Sequence, residues 1–175
     1  MLELRASSLS DTQAIAASVA GLARPGDLIL LSGEMGAGKT AFAQGFGRAL
    51  GVTEPITSPT YTLVHSYETQ ADGALGGVVG DGHEPLMLHH ADLYRLNRTA
   101  EVADLALEEL AESKGIVLVE WGDVVDSMFG DHLLVHLESD PDDDDDVRML
   151  DLSATGPLWA ARWSRLEAAC EEFRC

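Results

Sequence analysis

The sequence predicts an α/β fold, a central sheet flanked by helices, and three observations predict it. Asp27-Leu28-Ile29-Leu30-Leu31-Ser32 holds an unbroken apolar run, as a strand covered on both faces requires. It runs straight into a glycine-rich stretch, Gly33-Glu34-Met35-Gly36-Ala37-Gly38-Lys39-Thr40, and then into Phe42, Phe46, Ala49 and Leu50 at helical spacing, stopped by Gly51. A second apolar run, Ile116-Val117-Leu118-Val119, ends on an acid, Glu120.

Taken in order, Leu2, Leu4 and Ala6 alternate with Glu3 and Arg5 and predict a half-buried strand. Ser10 or Asp11 would then cap a helix through about Leu22, with Ile15, Val19 and Leu22 on one face. Arg24-Pro25-Gly26-Asp27 is a turn into the first central strand. Pro55 and Pro59 exclude a helix after Gly51, so Thr53 to Thr60 is a loop. Tyr61 to Tyr67 and Leu86 to Tyr94 are expected as an antiparallel pair around a glycine-rich tip at 69–85. Thr99 is expected to open a helix reaching Ser113, and Gly115 to Trp121 is the second central strand. His132 to Leu137 and Val147 to Ser153 read as a hairpin around the acidic residues 138–146. Leu158 to Phe173 reads as a closing helix with Trp159, Trp163 and Leu166 on one side. The expected organisation is one domain over residues 1–175, with flexible tips at 69–85 and 138–146.

The glycine-rich stretch fits G-x-x-x-x-G-K-[ST], the phosphate-binding P-loop, and sits between strand and helix as that loop must. Glycines let the backbone curl so that its N–H groups face phosphate oxygens, and the helix start adds its positive dipole end. Lys39 supplies a cation for the β- and γ-phosphates, and Thr40 a hydroxyl for magnesium. Glu120, at the end of a buried strand, is placed to hold the metal through water or to orient the attacking water. Asp92 shares a strand face with His90 and Tyr94 and is a further candidate acid. His89 and His90 read as strand histidines with ordinary partners. Arg95 and Arg98 read as surface ion-pair partners, with neutralising charge on the transferred phosphate as the alternative. Ser58-Pro59-Thr60 lies where a nucleotide-sensing switch loop would lie. No Asn-Lys-x-Asp speaks for guanine, so ATP with Mg²⁺ is the expected ligand set.

Composition narrows the partners. The net charge is −19, from 11 basic and 30 acidic residues. Phosphate contacts need Lys and Arg, so any RNA in this protein's biology would have to be held by something else. No run of about 18 apolar residues occurs, and Met1 to Arg5 lacks the layout of a signal peptide, so a cytoplasmic protein without a membrane span is expected. Cys170 and Cys175 have neither zinc nor redox spacing and read as ordinary thiols. The Asp142 to Asp146 run lacks the varied oxygen ligands and turn glycine of a calcium loop.

Four motifs in order resemble the TsaE family: Gly33 to Thr40, Ser58-Pro59-Thr60-Tyr61-Thr62-Leu63-Val64, His90-Ala91-Asp92-Leu93-Tyr94-Arg95-Leu96 and Val119-Glu120-Trp121. The likeness runs from about Leu9 to Trp121, with a weaker tail around Arg148. TsaE proteins are small bacterial ATPases of tRNA threonylcarbamoyladenosine biosynthesis. The resemblance implies a P-loop NTPase fold with a central mixed sheet. It implies magnesium-dependent ATP hydrolysis that depends on the partners TsaD and TsaB, with tRNA reached only through the complex. It implies that Gly36, Ala37, Gly38, Lys39, Thr40 and Ala41 cradle the phosphates, that Thr40 and Glu120 hold magnesium, and that Asp92 supports the site. Ser58 and Thr60 would belong to the switch loop. Asp11 or Thr12 matches a position near the adenine, and Asp123 and Arg148 fall near other nucleotide contacts. The long 69–85 segment, the Asp run, and Ala41 in place of a second hydroxyl depart from the family pattern.

A small-molecule kinase is the first alternative, but 69–85 carries no arginine for a mobile lid. A nucleotide-gated binding module without significant turnover is the second.

Overall fold

The computed structural model describes residues 1–59, 63–70, 86–94, 103, 105–113, 115–122, 126–140 and 146–175. Among these residues seven strands form one sheet: β1 (Leu2–Ala6), β2 (Leu28–Ser32), β3 (Val64–Glu68), β4 (Met87–Asp92), β5 (Gly115–Glu120), β6 (His132–Ser139) and β7 (Arg148–Thr155). Among the described residues the helices are α1 (Leu9–Leu22), α2 (Lys39–Ala49), α3 (Leu107–Glu112), α4 (Pro157–Ala160) and α5 (Trp163–Ala169), with 3₁₀ turns at Asp126–Met128 and Glu171–Phe173.

The strand order is β1-β7-β6-β2-β5-β4-β3. The inner four, β6-β2-β5-β4, run parallel, whereas β3 pairs antiparallel with β4, and β7 antiparallel with β6 and β1. The sheet is therefore mixed, as expected. Each residue of β2 and of β5 is buried, which is why both read as unbroken apolar runs. Successive side chains go to opposite faces. Ile29, Leu31, Ile116 and Leu118 join Phe42, Phe46, Ile15, Val19, Trp159 and Leu166 in one core cluster. Leu28, Leu30, Val117 and Val119 join Leu107 and Ala111 in the other. Burying each of these large aliphatic and aromatic side chains contributes about 1.5–3 kcal/mol. Helix α1 lies on α2, and the crossing is close because Gly45 carries no side chain: a Cβ there would come within 2.6 Å of Gln13 Cα.

Several sequence expectations shift. The cap of α1 is Ser8, not Ser10 or Asp11: Ser8 Oγ accepts from the Asp11 N–H at 3.1 Å, and Asp11 Oδ2 accepts from the Ser7 N–H at 2.8 Å. These two bonds close the helix start before its first buried residue, Thr12, and the apolar pattern locates only the buried residues. The closing helix is three pieces, α4, α5 and the 3₁₀ turn. Its first break falls at Arg162, whose guanidinium reaches down to Asp27. Glu138 belongs to β6 rather than to the acidic tip. Strand β3 begins at Val64, and Leu63 before it has φ 65°, a left-handed conformation that ends any extended run from its N-terminal side. Tyr61, Thr62, Arg95, Arg98, Thr99, 71–85 and Asp142 to Asp145 lie outside the described residues.

Candidate functional site

The site forms where the parallel strands end, the edge of an open α/β sheet at which ligands are bound. Between β2 and α2 the chain turns through Gly33 (φ 127°), Gly36 (φ 84°) and Gly38 (φ 107°). All three conformations belong to glycine. Gly33 also passes so close to the Leu137 carbonyl of β6 that a Cβ would strike it. Helix α2 begins with Gly38 at its N-cap and no side-chain cap, so its first-turn amides face outward at the positive end of the helix dipole.

Lys39 and Thr40 open that helix and face different partners. Lys39 is buried, and its Nζ donates to the carbonyls of Gly33 at 2.6 Å and Glu34 at 2.7 Å. The ammonium also lies 3.9 Å from the centre of the Trp121 ring, in cation–π range. Thr40 Oγ1 lies 3.1 Å from Glu120 Oε1 and 3.3 Å from Oε2, and donates to that carboxylate.

The two acids stand side by side because β4 and β5 run parallel in register, Asp92 opposite Glu120. Both are nearly buried. Asp92 Oδ2 accepts from the Ser58 hydroxyl at 2.6 Å and Oδ1 from the Tyr94 N–H at 2.9 Å. Glu120 Oε1 lies 2.9 Å from Nε2 of the fully buried His90. Trp121 follows with φ 63°, a conformation that costs a non-glycine residue on the order of 1–3 kcal/mol and turns its ring over Lys39 and against Tyr94, 5.0 Å between centroids.

These groups enclose a cavity of about 430 Å³. It is lined by Lys39, Thr40, Asp92 and Glu120, together with Gly36, Gly38 and Ala41 of the turn and first helical residues, and by Ser58, Tyr94 and Trp121. The predicted residues Gly36, Gly38, Lys39, Thr40, Ala41, Ser58, Asp92 and Glu120 are thus brought together. Ala37 is buried behind the loop, its N–H on the Glu34 carbonyl at 3.1 Å. Arg148, from β7, packs against Gly38, and its guanidinium donates to the Gly36 carbonyl at 3.4 Å. Asp11 and Thr12 do not line the cavity: they form the first turn of α1, where Thr12 Oγ1 donates to the Ser8 carbonyl at 3.4 Å. Thr60 and Asp123 lie outside the described residues.

Sequence reasoning missed two participants. His90 was expected to be an ordinary strand histidine, and only its two-residue spacing from Asp92 marked it as facing the site. His89, on the opposite face, does fit that reading: Nδ1 bonds Ser66 Oγ at 2.7 Å, and burial lowers its pKa. The sequence marks Trp121 only as the neighbour of Glu120, and its place over Lys39 follows from a backbone conformation that has no sequence signal.

The chain matches the family model described as threonylcarbamoyl adenosine biosynthesis protein TsaE over residues 6–149. It is 34% identical over 172 residues to the tRNA threonylcarbamoyladenosine biosynthesis protein TsaE of Bacillus subtilis, covering 98% of this chain and 93% of that one. It is 36% identical over 145 residues to the protein of that name from Streptomyces coelicolor, covering 81% and 89%. The fold superposes on the crystal structure of Bacillus subtilis YdiB with a TM-score of 0.66 and 31% identity, covering 98% of this chain and 92% of that one.

Proposed function

The chain belongs to the TsaE family, and from that premise we propose that it is a magnesium-dependent ATPase serving tRNA threonylcarbamoyladenosine biosynthesis. The observation that carries the reading is the convergence of Lys39, Thr40 and Glu120 on one cavity below a glycine turn and an uncapped helix start. Backbone amides and a helix dipole are what a triphosphate requires, and Lys39 adds the cation.

The donor set fits magnesium. Thr40, Glu120 and Asp92 offer hydroxyl and carboxylate oxygens, the hard ligands this ion takes. Thr40 and Glu120 would hold it, with Asp92 supporting, and the bound ion would offset charge on the β- and γ-phosphate oxygens. The chain's own groups do the rest. Lys39 leaves the loop carbonyls for phosphate, Glu120 orients metal or water, and Ser58 couples its loop to Asp92. Thr60 and Asp123 are assigned to the nucleotide on the resemblance alone. The adenine position of Asp11 or Thr12 rests on it too, and Arg148 would act from the outer side of the loop.

The partners in this reading are TsaD-like and TsaB-like proteins, in the cytoplasm. A net charge of −19 suits a subunit that leaves tRNA to others. Among the described residues no helix is long and apolar enough to cross a membrane.

The test is phosphate release from ATP–Mg²⁺ with and without those partners. Lys39→Ala and Glu120→Ala are each expected to lower stimulated release by roughly 100-fold or more, the scale of losing a group that stabilises transition-state charge. Trp121 emission is expected to respond to ATP–Mg²⁺ in the wild type, since the ring sits on Lys39. Full stimulated activity in either variant would refute the assigned roles. Binding without release under all conditions would favour a nucleotide-gated module instead.

A further inference from the structure

We propose that His90 is the positioning residue for Glu120: its ring carries the proton on Nε2, donates it to Oε1, and so fixes which carboxylate oxygen faces the cavity. The inference rests on the ATPase reading above but concerns a residue that reading does not use.

The geometry follows from the sheet. On β4, His90 and Asp92 point to the same face, and Glu120 on β5 points to that face opposite Asp92. His90 is 0% exposed, Glu120 3% and Asp92 4%, so these side chains must satisfy one another or their immediate neighbours. Asp92 is served by Ser58 and the Tyr94 amide. Glu120 is served by Thr40 and by His90 Nε2 at 2.9 Å. A carboxylate oxygen only accepts, so the hydrogen in the His90 contact belongs to the ring.

The other ring nitrogen gives the argument its force. His90 Nδ1 is buried and has no hydrogen-bond partner among the described residues. Among the described residues the ring's one hydrogen-bond partner is therefore the Glu120 carboxylate. A fully buried ring held by its packing fixes the orientation of the carboxylate it bonds, as outer partners of ligating groups do.

The consequence concerns Thr40. Its hydroxyl is shared between both Glu120 oxygens, at 3.1 and 3.3 Å, and is the group assigned to the metal. When that hydroxyl turns away, His90 is the remaining described anchor of the Glu120 head. With Oε1 tied to β4, Oε2 stays directed into the cavity. Without the ring, the carboxylate is free to rotate about its own side-chain bonds.

Two measurements test this. The first needs no turnover: nitrogen–proton NMR correlation of the histidine rings in the intact chain, with His90 assigned by its loss in His90→Gln. The expected result is a proton on Nε2, a bare Nδ1, and a shift of the His90 signals in Glu120→Ala. A proton on Nδ1, or signals indifferent to Glu120→Ala, would overturn the proposal. The second is partner-stimulated phosphate release. His90→Leu is expected to lose roughly 10-fold or more in kcat, the usual effect of removing an outer hydrogen-bond partner. Its nucleotide KM should stay within about 2-fold, as for a group acting after binding. His90→Gln, whose amide N–H occupies the Nε2 position, is expected to recover most of that loss. Wild-type kcat in His90→Leu, or an equal loss of kcat in both variants, would show a merely structural histidine. If the wild type bound no nucleotide, the ATPase reading would fail, while the ring-proton measurement would still decide the His90–Glu120 contact.

Discussion

Single side chains in this protein are tuned by what surrounds them, and the two cysteines show it most simply. Cys170 is buried at the end of α5 beside Ser18, and Cys175 is exposed. Desolvation raises the Cys170 thiol from 9.0 to about 11, outweighing the Ser18 contact. At pH 8, a thiol reagent is expected to modify Cys175 alone in the native chain and both thiols after denaturation, read by intact mass. The sign for stability follows: the folded thiol holds its proton more tightly, so this contribution is complete below about pH 9 and is lost as the pH rises toward 11. At the site, the same scale explains what could be read in advance. Lys39, Thr40 and Glu120 announce themselves by motif and strand end, because phosphate and metal chemistry restrict the residue types allowed there. The hydrogen bond from His90 does not, since histidine serves many purposes on a strand and only its partner reveals which. Nor does the positive φ of Trp121, which tertiary packing imposes on a residue whose own preference is otherwise.

The elements were legible to the extent that burial gives them a period. β1 alternates because only one face is covered, with burial following every second residue from Leu2 to Ala6. β2 and β5 do not alternate because both faces are. The end of the chain was misjudged for the opposite reason. Trp159, Leu166 and Cys170 are all buried and stand at helix-compatible intervals, so their spacing survives the break at Arg162 and conceals it. The cap of α1 was displaced because a run of Ser7, Ser8, Ser10 and Asp11 offers several acceptable acceptors, and geometry alone selects Ser8. Helix packing has its own determinant in Gly45. A methyl there would press on Gln13 at Cα 2.6 Å and at its carbonyl oxygen 2.7 Å, backbone that cannot yield without moving α1. Gly45→Ala would gain some helix propensity, up to about 1 kcal/mol. Overpacking at the crossing costs about 1–3 kcal/mol. The expected net outcome is destabilisation, measured as a lower urea midpoint with an unchanged m-value. A stabilised Gly45→Ala protein would mean that the two helices are free to separate.

Across the whole molecule, the order of the sheet was beyond the reach of local pattern. Nothing in the β2 segment specifies that β5 and β6 flank it; that order emerges from parallel crossovers and from two core clusters that must each be sealed by helices. The segment after β7 does part of that sealing and is tied down by one buried ion pair. Arg162 donates from Nη1 to Asp27 Oδ2 at 2.6 Å and from Nη2 to Oδ1 at 2.7 Å, a two-pronged contact, while also reaching the Leu22 carbonyl at 2.8 Å and lying 4.3 Å from the Trp159 ring. Asp27 is 2% exposed and begins the run that becomes β2, so this pair joins the C-terminal helices to the strand that carries the glycine loop. Truncating Arg162→Ala would leave a buried carboxylate with, among the described residues, the Arg24 N–H at 2.7 Å as its remaining partner. Breaking such a pair from one side costs about 3–5 kcal/mol, most of it from stranding the remaining charge. Arg162→Ala is therefore expected to lower stability by about that amount in a denaturant titration. The double variant Arg162→Met with Asp27→Asn, which removes both charges, is expected to recover a large part of it. The site's groups lie at the other end of β2, so nucleotide binding by the folded fraction should be unchanged. An Arg162→Ala protein as stable as wild type would show that the C-terminal helices are held by their apolar contacts alone.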